Sequence, residues 1–454
     1  MRTACLTVLA SLALAAPASA ADRTVAIRSP GPGPAATDKV YVTKIGPSRA
    51  RTVLVLIPGF VGGAGDFGLV GHDLVRRVPD LQVWAFDRRS QALEDTRAFD
   101  AARAGRTGVQ AAYDHYLGWL TGVPVPGHFE PLDPARYAYA RRWGLSTALR
   151  DVRRAVLLAR RQGKRVLLGG HSLGASMATI YAAWDFAGHP GYEDVDGLVL
   201  IDGGTLGSFT TPSLQRTRDA LASLRTGSPF VDLLGLGLPW AAGVFAQAGA
   251  LAAFRAPAAP SLLQAFPLLP AEFRPPVPAT NRGALGFAFD KDTSPAALSL
   301  VRVNAGRLGP DGDWVDGEVT PIRRLADAFS GRPNATEWYF PRRLQIDVDA
   351  AQYLERNAQT RLLGLRPWHL GAVDVPVYAY QTDLTGGRVL RGARRFVQRS
   401  RSPRRLARLV DGSRTDSHLD PLLAAPSRSR FLKTVVPWLR RVAPAPPRRA
   451  RFTG

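Results

Sequence analysis

The stretch that most constrains this chain runs from Lys164 to Ala183, "KRVLLGGHSLGASMATIYAA". An apolar run ends in Gly170-His171-Ser172-Leu173-Gly174, and a helical pattern begins at once. A G-x-S-x-G between strand and helix is the setting of a nucleophile elbow, a strained turn that exposes the serine oxygen at the carboxyl end of a sheet. Side chains two places before or after that serine would collide with their neighbours, so sterics demand Gly170 and Gly174. The helix N-terminus behind Ser172 favours developing negative charge. The bland alternative is an ordinary strand-to-helix turn; the strand–turn–helix context favours the elbow.

Other apolar runs share the strand character of "KRVLLGG": "RTVAIRS", "DKVYVTKIG", "RTVLVLIPGF", "DLQVWAFDRR", "DGLVLIDGG", "VPVYAYQTD" and "RRLARLVDG". Between several of them lie helical patterns. "GLSTALRDVRRAVLLARRQG" has apolar residues at three-to-four spacing, a serine to cap its start and a glycine at its end. Strands alternating with helices imply an α/β architecture with a mostly parallel, doubly wound sheet. Two stretches break the rhythm, residues 90–143 and residues 205–370. The second is too long for a loop and is expected to be a large, mainly helical cap. The expected organisation is a core in two parts, 21–204 and 371–442, with the cap between them.

A serine needs a base. Of the seven histidines, only His418 follows the last strand, in the polar loop "DGSRTDSHLDPLL". The third member must be a carboxylate that orients the imidazole. Asp383, at the end of "VPVYAYQTD", gives the order Ser172, Asp383, His418. Asp202, at the end of the preceding strand, is the serious rival. Asp411 lies beside the histidine too, and Asp416 is too close in sequence to reach the far side of the ring.

With the GHSLG elbow, the strand order, Asp383 and "SHLDPL" in hand, the chain resembles the α/β-hydrolase superfamily over residues 40–204 and 371–442. The likeness is closest to secreted esterases and lipases. It implies serine-hydrolase chemistry without cofactor or metal, on a carboxylic ester, lipid esters included, through an acyl-enzyme. It also implies that the loop after "TVLVLI" supplies an oxyanion-hole amide. The donors carried over are the backbone N–H groups of Phe60 and Leu173. Where the family often has a histidine, this chain has Pro58, which calls side-chain support of that loop into question. The same loop, "PGFVGGAGDFG", contains a literal G-x-G-x-x-G in Gly63, Gly65 and Gly68, with Asp87 about twenty residues on. That mimics a dinucleotide fingerprint. In a dinucleotide fold the first glycine follows the strand at once, whereas here Gly63 comes several residues after Ile57.

"MRTACLTVLASLALAAPASA" reads as a secretory signal peptide cleaved after Ala20, which implies a secreted bacterial protein. The sole cysteine, Cys5, lies within it, so the mature chain has neither disulfide nor thiolate metal site. Net charge is +22, almost all of the positive charge from arginine. That charge suits a basic surface, or an anionic cell-surface polymer as partner. No nucleic-acid motif accompanies it. The tail, 443–454, is Pro- and Arg-rich. Within the cap, "LLGLGLPWAAGVFAQAGALAAF" carries no charge. Its Pro239 and glycines argue for two short buried helices over a membrane span, lining either cap core or a lipophilic pocket. "TEWYFPRRLQIDVDAA" is expected at the cleft rim, or as a strand and its turn. Amide hydrolysis or acyl transfer by the same triad, and a non-catalytic surface-binding protein, are the competing functions.

Overall fold

The computed structural model describes residues 22–443; the leader assigned to 1–20 and the tail beyond 443 lie outside the described residues. Eight strands form one sheet: β1 (Arg23–Arg28), β2 (Lys39–Ile45), β3 (Thr52–Ile57), β4 (Leu81–Asp87), β5 (Arg165–His171), β6 (Gly197–Ile201), β7 (Val377–Gln381) and β8 (Arg408–Asp411). Their order across the sheet is β1-β2-β4-β3-β5-β6-β7-β8. β2 runs antiparallel to both neighbours, and from β4 to β8 every pairing is parallel. All residues of β3 to β7 are buried, as continuous apolar runs covered on both faces require.

Alternation along each strand sends side chains to two apolar layers. Val53, Val55, Val166 and Leu168 pack with the helices Leu145–Arg161 and Leu173–Ala183. Leu54, Leu56, Val83 and Leu167 pack with Gly68–Arg77 and Arg430–Val442. The start of Leu145–Arg161 departs from expectation. Its N-cap is Gly144 and no side chain caps it from within. Instead Asp347, two hundred residues on, accepts the Leu145 N–H at 2.9 Å.

Residues 90–143 and the long insertion 205–370 pack on each other through buried aromatics, among them Phe99, Tyr116, Phe129, Trp240, Phe245 and Trp338. Later residues of the long insertion, Phe340, Leu344, Val348 and Leu354, join the layer under the sheet. Where two short helices were expected there is one, Ala241–Arg255; Pro239 precedes it rather than splitting it. No helix among the described residues is long and apolar enough to cross a membrane. "TEWYFPRRLQIDVDAA" is neither a strand nor only a rim. Thr336 and Glu337 line a cleft, the aromatics after them are buried, and Arg342–Ala350 is a helix.

Candidate active site

Ser172 leaves β5 with φ 55° and ψ −121° and heads the helix Leu173–Ala183. A non-glycine residue there is strained; the turn is held by the Ser172 N–H, which donates to Ile201 O at 2.9 Å. A Cβ on Gly170 would lie 2.6 Å from Ile57 O, and one on Gly174 would lie 2.7 Å from Pro58 O with Ile57 O closer still. Both glycines of the motif are therefore fixed by close backbone approach from the end of β3.

His418 sits in the loop after β8, fully buried. Its Nδ1 donates to Asp202 Oδ2 at 2.5 Å, which leaves Nε2 as the basic nitrogen. Asp202 ends β6 with φ 43° and is itself buried. Its other oxygen accepts the Thr382 N–H at 2.7 Å, and the Thr382 hydroxyl donates to Oδ2. A buried carboxylate with this many donors is fully satisfied. Asp383, favoured from chain order, is not brought to His418. It is exposed, accepts the Ser417 hydroxyl at 2.9 Å, and so braces the residue before the histidine. β7 ends at Gln381, two residues before Asp383, and it is Thr382 that meets the imidazole's partner, Asp202. Asp416 accepts from Tyr380 Oη at 2.5 Å and does not meet His418 either.

His171, the variable residue of the G-x-S-x-G, is buried with its ring 4.2 Å from that of His418. Its Nε2 donates to the His418 carbonyl oxygen at 2.9 Å. Burial, and then the neighbouring His418, pushes its pKa well below the usual histidine range, so it is neutral and serves as a brace.

Phe60 lines the cleft, and Leu173 directly follows Ser172. Leu173 is the first helical residue, so its N–H has no intrahelical acceptor. The loop carrying Phe60 is clamped from below by Arg88, just past the end of β4. One guanidinium nitrogen, Nη2, donates to Pro58 O at 2.5 Å and Gly59 O at 2.8 Å; the other, Nη1, donates to Gly62 O at 3.1 Å and Glu337 Oε2 at 2.6 Å. Arg88 and Glu337 are both buried. Gly59 C=O and Phe60 N–H belong to one planar trans peptide, so holding the oxygen toward Arg88 turns the Phe60 N–H away from it. Arg88 thus gives the loop the side-chain support that Pro58 cannot.

The glycine-rich part of the loop holds no phosphate-like cradle. Gly63 N–H donates to Ala335 O at 2.9 Å and Gly65 N–H to Asn334 O at 3.0 Å. Side chains at either position would strike residues 333–335. Asp87 accepts the Ala64 N–H at 2.6 Å, and burial raises its carboxyl to about 7. The glycines exist so that the insertion's backbone can lie against the loop.

Ser172, His418, Gly59 and Phe60 line one cleft, with Asp66, Thr336 and Glu337 beside them. It adjoins a second, apolar pocket within the cap. Ala242, Ala246, Phe289 and Leu298 form walls of both. Sequence reasoning missed Arg88, Glu337 and Thr382. The only local signal was the charged "DRR" closing an otherwise apolar strand.

Among the described residues, no group of three or more His, Cys, Asp or Glu could hold a metal ion. The sheet order is that of the α/β-hydrolase fold, and the chain has that fold. No family model matches it, and no curated protein matches it. Among solved structures it is similar to a protein of Sulfolobus solfataricus proposed to be a lipase, at 15% identity over 92% of this chain and 93% of that one, with a TM-score of 0.50. A lipase in its open form aligns at 14% identity over 94% and 100% of the two chains, TM-score 0.43. A monoacylglycerol lipase of Paleococcus ferrophilus aligns at 11% over 88% and 98%, TM-score 0.40. At these identities the likeness is one of fold.

Proposed function

We propose that the protein is a serine hydrolase of carboxylic esters with lipophilic acyl chains. The observation that carries this reading is the convergence on one cleft of Ser172, a His418 already bonded to a buried carboxylate, and the Phe60 loop. Ser172 Oγ attacks the ester carbonyl while His418 Nε2 takes its proton. Asp202 holds the ring by its Nδ1–H and stabilises the imidazolium. The Phe60 and Leu173 N–H groups receive the oxyanion. His418 then returns the proton to the leaving alkoxide, and water resolves the acyl-enzyme by the same steps reversed in role. The cap cavity supports the lipophilic preference, because an apolar chain gains about 0.8 kcal/mol per buried methylene.

The test is a panel of p-nitrophenyl esters from two to sixteen carbons, with matched anilides, on the purified protein. Ester cleavage rising with chain length, and abolished in Ser172→Ala, is the expected result. Full activity in Ser172→Ala would sink the mechanism, and faster anilide than ester cleavage would sink the substrate class.

A further inference from the structure

Asp66 lies on the short turn Ala64–Phe67 that follows the Phe60 loop, and it lines the cleft with Ser172 and His418. It is 5% exposed. Its carboxyl receives no hydrogen bond from any described residue; the groups that act on it, Arg88 and Asp87, do so through charge alone. The two terminal nitrogens of Arg88 donate to three loop carbonyls and Glu337, and Asp87 accepts from Ala64. The carboxyl rests against Gly62, where a Cβ would collide with its Oδ2 and also lie 3.2 Å from Gly59 N. It is therefore beside the very loop expected to receive the scissile carbonyl oxygen. With no protein donor in reach, whatever satisfies this carboxyl comes from the cleft, as water or as a group of a bound molecule.

We propose that Asp66 is a polar subsite of the cleft that binds a hydroxyl of the substrate next to the scissile ester. The inference rests on the esterase reading above and deepens it. Burial drives the Asp66 carboxyl upward from the usual carboxylate range, and charged or neutral it presents an oxygen that accepts a hydrogen bond. A hydroxyl donates to that oxygen in either state. The apolar chain occupies the cap cavity while the hydroxyl meets Asp66, so the substrate class is a hydroxylated ester with an apolar tail.

The test compares matched pairs of esters on the wild-type protein. One pair differs by a hydroxyl on the acyl chain, as p-nitrophenyl 3-hydroxydecanoate against decanoate. The other differs in the alcohol, as 1-decanoylglycerol against propyl decanoate. The expected result is a kcat/KM at least tenfold higher for the hydroxylated member of one pair, and which pair responds tells which side of the ester faces Asp66. Asp66→Asn keeps most of that ratio, and Asp66→Leu brings it close to one. Ratios near one for both pairs in the wild-type protein, where folding is not in question, overturn the proposal. So does a ratio that survives Asp66→Leu. If Ser172→Ala retains ester cleavage, it is the underlying esterase reading that fails; if Ser172→Ala is inactive and the ratios are flat, the subsite alone fails.

Discussion

Asp202 Oδ2 lies 2.5 Å from Nδ1 of His418, and the same carboxylate accepts the backbone N–H of Thr382. Replacing Asp202 with Asn leaves the space filled but offers an amide where the imidazole needs an acceptor. Asp202→Asn is expected to lower kcat on the order of 10⁴-fold. Asp383→Asn, which only loosens Ser417, is expected to cost less than about tenfold. Steady-state kinetics on one p-nitrophenyl ester, with melting temperatures as a folding control, check both. Equal losses in the two variants would contradict this assignment.

That contrast shows what the chain's letters could and could not reveal. Ser172 was legible because its demands are local: two glycines, a strand before and a helix after. His418 was legible through chain order. Choosing between Asp202 and Asp383 was not a local matter. Both close neighbouring parallel strands at the same end of the sheet, and both could approach the histidine. What decides is the positive φ of Asp202 and the donors of Thr382, which come from the packing of β6 on β7. Arg88 and Glu337 stand 249 residues apart, so no pattern in sequence could pair them. The sheet followed from apolar runs; the insertion did not, because its aromatic core is assembled with residues 90–143 rather than within itself.

The Arg88 clamp predicts a division between rate and binding. Arg88→Met frees the Gly59–Phe60 peptide to rotate, so an oxyanion donor is lost for part of the time. Losing such a donor outright costs about 10²–10³-fold in kcat; a loosened one is expected to cost about 10- to 100-fold, with KM little changed. The variant also strands Glu337, which is worth about 3–5 kcal/mol of stability. The double variant Arg88→Met with Glu337→Leu removes both charges and is expected to recover melting temperature without recovering kcat. If kcat returns along with stability, the arginine only holds the fold together.

His171 predicts a pH dependence of stability. Its folded-state pKa is depressed by burial first and by His418 second. Below the unfolded-state value of about 6.5, the unfolded chain binds a proton that the folded chain does not. Stability from this group is therefore complete above about pH 6.5 and falls as pH drops toward the depressed folded value. His171→Gln keeps a donor for the His418 carbonyl and removes the titration. Melting curves from pH 7.5 to 5.0 are expected to converge for the two proteins as pH falls. Parallel curves would mean that His171 does not titrate between the two states.

Ala246 stands in the wall shared by the catalytic cleft and the apolar cap cavity. A large side chain there fills space between the two. Each methylene denied to the cavity forfeits about 0.8 kcal/mol, close to fourfold in kcat/KM. Chains short enough to stay within the catalytic cleft lose nothing, while a decanoyl chain loses several methylenes of burial. Ala246→Phe is therefore expected to leave acetate and propionate esters within about twofold of wild type and to depress decanoate esters by 100-fold or more. The chain-length profile of p-nitrophenyl esters measures this directly. A uniform drop at all lengths would mean that the acyl chain leaves the cleft by another route.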